Sequence, residues 1–112
     1  MSYSITHSSE VATGRGPHPA ASPFDKRVSD ALGLRGFAIY QVEVPPGAST
    51  EPHDHTDDGV EDAYAVVGGS GWLVVDGEQV PLRVGHFVAV TQESERYVRA
   101  GDEGCVLIAV CG

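Results

Sequence analysis

The stretch "GWLVVDGEQV", residues 71–80, decides the fold, because its composition predicts two strands joined by a two-residue turn. Both central residues of such a turn need positive φ, and Asp-Gly is among the pairs that adopt this conformation most readily. The β-branched and aromatic residues on either side are typical of strands. The stretch therefore predicts a β-hairpin that turns at Asp76-Gly77.

Similar short runs continue on both sides of this hairpin. They include "FAIYQVEV", "DAYAVV", "HFVAV", "RYVRA" and "CVLIAV", and the turns between them include "PPG", "DDG", "GGSG" and "AGDEG". Strands at roughly ten-residue spacing with almost no helix predict an all-β sandwich or barrel. We assign residues 37–112 to this domain and residues 1–36 to an N-terminal arm, in which residues 24–34 could form a short helix that ends at Gly33.

Composition limits the classes of partner. The 112 residues are 41% apolar and 21% charged, as expected of one folded domain. The net charge of −9 argues against nucleic acid and membrane partners, because it repels phosphate groups and anionic lipids. We expect a cytoplasmic protein, since the sequence shows no secretion signal and no run of ~20 apolar residues. Cys105 and Cys111 lie in one predicted strand, too far apart for a disulfide, and are expected to be free thiols.

Two histidines and an acid form the candidate site. His53 and His55 follow a predicted strand end, and residues two apart in an extended segment point to the same side, so both imidazoles can converge. In "EDAYAVV" the alternation places Asp62 and Tyr64 on one face and Glu61 on the other. One of the two acids can face the imidazoles across a hairpin. Two neutral imidazoles and one carboxylate form the facial triad that leaves coordination positions for water, oxygen or substrate.

The stretch from Gly47 to Gly69 resembles the first motif of the cupins. In that motif five residues separate a glycine from His-x-His, and an acid follows. Six residues then separate this acid from another glycine. His53, His55 and Asp62 occupy the three side-chain positions of the motif in this sequence. The resemblance extends over most of the β-rich part of the chain. It implies the cupin-type double-stranded β-helix, a jelly-roll barrel.

Two departures from the cupin pattern concern the site. The acid is Asp62 where cupins usually have Glu, and Glu61 could replace it if the strand register differed by one residue. The second motif, which opens here at Gly85, normally supplies a histidine about eleven residues later, where this chain has Arg96. A guanidinium cannot bind a metal, so Arg96 would pair with Asp62, repel a cation or hold a substrate carboxylate.

The resemblance leaves two interpretations open. In the first, His53, His55 and Asp62 hold Fe, Mn, Ni or Zn, while Arg96 and Tyr64 bind a small, oxygenated, anionic metabolite. Cupins of this size are often dioxygenases, isomerases or cyclase-type enzymes, and the same analogy implies a homodimer. In the second interpretation no metal binds: Arg96 pairs with Asp62, and the barrel holds or senses a small ligand.

Three other residues have simpler interpretations. His86 follows a glycine turn and is expected to be an exposed turn residue. Asp58 lies in the acidic run after His55 and is expected to be part of a solvated rim. Cys105 is expected to fill the apolar core rather than to act as a nucleophile, because no positive neighbour is assigned to activate its thiol.

Overall fold

The computed structural model describes residues 2–14 and 23–112, which form a mostly antiparallel β protein. Its elements are a 3₁₀-helix (Ser8–Glu10), β1 (Asp25–Arg27), α1 (Val28–Leu32), β2 (Ala38–Val44), β3 (Asp62–Val75), β4 (Glu78–Arg83), β5 (Phe87–Val90) and β6 (Arg96–Cys111). The all-β prediction is confirmed. Within the described ranges, neither helix combines the length and the apolar character that crossing a membrane requires.

The sequence predicted more strands than the structure contains, because β3 and β6 each join two predicted strands. The glycine-rich stretches expected as turns are bends inside these long strands, and the β3–β6 register shifts at residues 66–71. Gly69 has a φ of 65°, and a Cβ on it would lie 2.0 Å from the carbonyl oxygen of Gly104. Only glycine allows the two backbones to approach this closely, so these positions hold the strands together where they bend.

The bends place the two halves of each long strand in opposite layers. Residues 62–66 of β3 pair with residues 107–111 of β6, and β1, β2 and β5 belong to this layer. Residues 71–75 of β3 pair with residues 96–100 of β6 and with β4. Side chains from both layers meet in one core: Tyr40, Val42, Val44, Tyr64, Val66, Leu73, Leu82, Val90, Val98, Ala100, Cys105, Leu107 and Ala109.

Several local predictions are confirmed. Asp76 and Gly77 have φ values of 48° and 84°, and they join β3 to β4 as a tight hairpin. Helix α1 ends at Gly33, which has a left-handed backbone. Strand β1 lies within the segment expected to be an arm, yet it pairs with β2 and extends the sheet. Both cysteines are free thiols, and Cys105 is fully buried.

The segment before β3 is attached to the start of β6. Its residues 48–53 run antiparallel to β6, with isolated bridges between Ser49 and Arg99 and between His53 and Arg96. The backbone N–H of His53 donates to the Arg96 carbonyl at 3.1 Å, and the Arg96 N–H donates to the His53 carbonyl at 2.9 Å. This pairing brings the predicted histidine segment next to the first residues of β3 and β6.

Candidate metal centre

The two imidazole rings are held by their outer nitrogens. Nδ1 of His53 donates to the carbonyl oxygen of Glu51 at 3.2 Å. Nδ1 of His55 lies 3.0 and 3.1 Å from the two carboxylate oxygens of Asp58, which accept its proton. A neutral ring with its proton on Nδ1 carries its lone pair on Nε2. Both rings therefore turn Nε2 toward Asp62, where Nε2 of His55 forms a hydrogen bond with the carboxylate, and Nε2 is the atom that each ring could offer to a metal.

The carboxylate of Asp62 lies against both Nε2 atoms. Its Oδ2 is 2.9 Å from Nε2 of His55 and 3.9 Å from Nε2 of His53. The ligand atoms of these three residues all lie within 4.8 Å of one another. Asp62 is buried at the first position of β3, whereas Glu61 is exposed. The structure thus brings the three predicted residues together, with the register that points Asp62 inward.

Two further predicted residues contact the same carboxylate. Arg96 donates from Nη1 to Oδ2 of Asp62 at 2.9 Å, and the Tyr64 hydroxyl donates to Oδ2 at 3.0 Å. The guanidinium also donates from Nε to the Ser94 carbonyl at 3.0 Å and from Nη2 to the Thr91 carbonyl. Arg96 is only 1% exposed. Both residues expected to bind substrate therefore lie at the site, and each is hydrogen-bonded to Asp62.

The other oxygen of Asp62 differs from Oδ2. Among the described residues, Oδ1 has no partner that meets hydrogen-bond geometry, although it is buried. The nearby thiol belongs to Cys111, which faces Asp62 across the β3–β6 ladder. A buried carboxylate oxygen without a donor is costly for the fold. This oxygen is consequently available to a cation or to a hydrogen-bond donor of a ligand.

The surroundings fix the protonation states. Burial alone would raise the pKa of Asp62, but interactions with His53, Cys111, His55 and Tyr64 together hold it well below its usual range. Interaction with Asp62 raises the pKa of His53, against the opposing effect of burial. Burial and the Asp62 charge raise the pKa of Tyr64 above its ordinary value. At neutral pH Asp62 is therefore an anion and Tyr64 is a proton-bearing donor.

These groups form one end of a small cavity inside the barrel. The cavity has a volume of about 60 Å³, and its walls beyond the polar groups include Val42, Val98, Leu107 and Ala109. Glu51 and Asp25 also line it. The interior is thus not completely filled by side chains.

Two residues of the site were missed or misjudged from the sequence. Asp58 is exposed, as expected of a solvated rim, but its role in orienting the His55 ring was missed. Its position three residues after a candidate ligand was the available signal. Cys111 was treated only as a free thiol, yet it lines the cavity beside Asp62. Only the register between β3 and β6 places it there. His86 is an exposed turn residue, as predicted, and its Nδ1 accepts from the Arg83 N–H.

The family can now be assigned. The family model of the cupin domain matches residues 40–111, which is most of the chain. This chain is a member of the cupin family. The resemblance carried by the motif between Gly47 and Gly69 is therefore confirmed. A comparison with curated protein sequences gives no match to this cupin.

Solved structures support the same fold. A cupin protein from Bacteroides fragilis aligns with a TM-score of 0.78 and 19% identity, over 99% of this chain and 84% of that protein. A Cupin 2 conserved barrel domain protein from Salinispora arenicola aligns with a TM-score of 0.62 and 27% identity, over 69% of this chain and 63% of that protein. A sugar phosphate isomerase from a cupin superfamily, from Silicibacter pomeroyi, aligns with a TM-score of 0.66 and 23% identity. The alignment covers 78% of this chain and 57% of that protein. This cupin matches less than two thirds of the latter two proteins.

Proposed function

We propose that this cupin binds one divalent transition-metal ion through His53, His55 and Asp62, and acts with it on a small, oxygenated, anionic metabolite. The observation that carries the proposal is the convergence of two imidazole nitrogens and a carboxylate oxygen within 4.8 Å of one another. Iron, manganese, nickel and zinc all accept such a mixed nitrogen and oxygen donor set.

The donor set fits such an ion in two further respects. Each ring is held at Nδ1, by the Glu51 carbonyl or by the Asp58 carboxylate, so that Nε2 faces the cavity. Second contacts of this kind orient metal-binding histidines and raise their basicity. Oδ1 of Asp62 is buried without a hydrogen-bond partner in the described part of the chain, and a cation would satisfy it.

The remaining residues would bind and orient the ligand. A bound ion would supply Lewis-acid polarisation or oxygen activation, which suits either an isomerase or cyclase-type enzyme or a dioxygenase. Tyr64 keeps its proton and can donate a hydrogen bond, and Arg96 provides a fixed positive charge for an anionic group. The apolar walls would limit the access of water. With a cavity of about 60 Å³, we expect a metabolite of few atoms in the interior.

Metal analysis tests the proposal directly. Protein purified without added ion is expected to contain close to one equivalent of metal per chain, measured by mass spectrometry of the elements. The His53→Ala/His55→Ala double variant is expected to lose that metal, because two of three ligands are gone. His7→Ala is the matched control, since His7 is exposed in the N-terminal region. Metal retained by the double variant would refute the assigned ligands.

The reaction class needs a separate measurement. Oxygen consumption by the metal-loaded protein with small diketones, phenols or hydroxy acids would favour a dioxygenase. Conversion of substrate without oxygen uptake would favour an isomerase or cyclase-type enzyme. The likeness to the isomerase from Silicibacter pomeroyi, at 23% identity, supports the fold and not its reaction.

One observation favours a second candidate, a metal-free cupin that binds or senses a small ligand. Arg96 donates to Asp62 at 2.9 Å, so the only acid of the donor set is already paired with a cation. In that case ligand binding would be unaffected by a chelator, and purified protein would contain no metal. The metal analysis above therefore separates the two candidates.

We also propose a homodimer that forms through the outer face of the larger layer. Phe87 is 84% exposed, and Val67 and Val110 are exposed on the neighbouring strands β3 and β6. A second copy would cover this apolar surface. Light scattering is expected to show a dimer, and Phe87→Glu is expected to shift the protein toward monomer. An unchanged mass would contradict this interface. The cytoplasmic location and the absence of nucleic acid or membrane partners stay predictions from the sequence.

A further inference from the structure

The buried charges of the site, counted with Arg96, provide less negative charge than the three proposed ligands alone would. Asp62 contributes one negative charge, and Arg96 contributes one positive charge that it keeps at every physiological pH. With neutral imidazoles on His53 and His55, the donor set and its buried cation have no net charge. Two imidazoles and a carboxylate without the arginine would offer a divalent ion one compensating negative charge.

The positive charge of Arg96 cannot move away from the site. Its Nε and Nη2 donate to the carbonyl oxygens of Ser94 and Thr91, while Nη1 donates to Asp62. The backbone of Arg96 is also bonded to that of His53 in both directions. The guanidinium is therefore a fixed part of the site, because hydrogen bonds hold both the side chain and the backbone of Arg96.

Nearby carboxylates compensate this charge only weakly. The side chain of Asp58, which holds His55, is 47% exposed, and Glu51 is exposed at the cavity. Water and salt screen such charges. Asp25 also lines the cavity and is partly exposed. Beyond its own ligands, an ion beside Asp62 would therefore be affected most by the buried Arg96, because like charges repel more in a low-dielectric interior.

We propose, on the basis of the function proposed above, that Arg96 couples the ion to an anionic ligand, so that the site binds the two together. The ligand class is a small anion with a coordinating oxygen, such as a carboxylate or an enolate. Its negative charge would replace that of Asp62, which Arg96 neutralises. A divalent ion alone would leave the buried site with two net positive charges, and a bound monoanion would reduce this to one. By linkage, the anion raises the affinity for the ion by the same factor as the ion raises the affinity for the anion.

The test measures Mn²⁺ affinity with acetate or with acetamide, which has a similar shape and no charge. Free Mn²⁺ is quantified by its paramagnetic resonance signal. For the wild-type chain, acetate is expected to strengthen Mn²⁺ binding about ten-fold, within the usual range of coupling, and acetamide is expected to have no effect. Equal effects of the two additives would overturn the proposal.

Two variants isolate the charge of Arg96. Arg96→Gln removes the charge but keeps an N–H donor, whereas Arg96→Lys keeps the charge but loses the planar fork. Without acetate, Arg96→Gln is expected to bind Mn²⁺ about ten-fold more tightly than the wild type, with most of the acetate effect lost. Arg96→Lys is expected to behave like the wild type. Circular dichroism confirms that each variant is folded.

Three outcomes would refute the coupling, each for a different reason. If Arg96→Gln and Arg96→Lys both bind Mn²⁺ more weakly than the wild type, Arg96 only supports Asp62 and the coupling is refuted. If the acetate effect is the same in Arg96→Gln, the charge is not its source, and the coupling is again refuted. If the wild type binds no Mn²⁺ with or without acetate, the proposed metal function fails and the coupling fails with it. If both variants are unfolded, the wild-type experiment still tests the coupling. Equal effects of acetate and acetamide on Mn²⁺ affinity would refute it.

Discussion

Two regions of the barrel interior are buried to the same extent and differ completely in chemistry. Arg96 and Asp62 are 1% and 4% exposed, and Leu107 and Leu73 are 1% and 2% exposed. Burial of the leucines stabilises the fold by about 25 cal/mol per Å² of apolar surface. Burial of the ions costs free energy of desolvation, which their mutual attraction often does not repay. The polar region is thus better explained by ligand binding than by stability.

The two regions also occupy different parts of the strands. The apolar core comes from alternating residues within the strands, as the burial of Val42 and Val44 in β2 illustrates. The polar region comes from the first residues of two strands, Asp62 in β3 and Arg96 in β6, together with the segment that precedes β3. Strand interiors therefore build the barrel, and strand beginnings build the site at one end of it.

Removing one charge from the polar region is expected to change the free energy of unfolding more than the other substitutions. In Asp62→Asn the guanidinium of Arg96 stays buried without its anion, which should lower the free energy of unfolding by about 4 kcal/mol. The same substitution should weaken metal binding, because a neutral amide is a poorer ligand. Glu61→Gln is the control: Glu61 is exposed, so stability should change by less than about 0.5 kcal/mol. Stronger metal loss in Glu61→Gln would mean that Glu61 is the ligand.

Leu107→Ala provides the matched control from the apolar region. It should cost about 3 kcal/mol through lost burial and a cavity. Leu107 lines the site cavity but is not one of the proposed metal ligands. The quantity to compare between the two variants is therefore their affinity for the metal. Urea unfolding and metal titration of both variants should show similar destabilisation but metal loss only in Asp62→Asn. Equal metal loss in both would mean that the two regions are not separable.

A smaller effect should appear in the pH dependence of stability. The pKa of Asp62 in the fold lies below its usual range, so ionised Asp62 favours the folded state. This contribution is complete above about pH 4, the pKa of an unfolded Asp, and it is lost as the pH falls through the lower folded value. Between pH 4 and pH 3, the wild type should lose about 1 kcal/mol more than Asp62→Asn. Parallel pH profiles for the two proteins would contradict the low pKa.

The sequence predicted those features that depend on neighbouring residues. The Asp76-Gly77 hairpin, the helix end at Gly33 and the inward face of Asp62 all follow from local backbone preferences or from alternation. The family resemblance added the barrel and the proximity of His53 and His55 to Asp62. These elements did not require knowledge of distant contacts.

The sequence could not predict those features that depend on distant residues. Strands β3 and β6 are continuous because Gly69 approaches Gly104 across 35 positions, and no local pattern encodes that contact. The bonding of Arg96 to Thr91 and Ser94 likewise depends on the path of the turn before β6. Sequence analysis offered three possible roles for Arg96, and only the three-dimensional contacts show its pairing with Asp62.

The pair of backbone hydrogen bonds between His53 and Arg96 has a consequence for biosynthesis. Closing a loop between residues so far apart costs entropy before any contact repays it, and such pairing forms slowly. A chain still emerging from the ribosome cannot align the histidine segment before β6 has been synthesised. The pocket is therefore complete only after β6 has been synthesised.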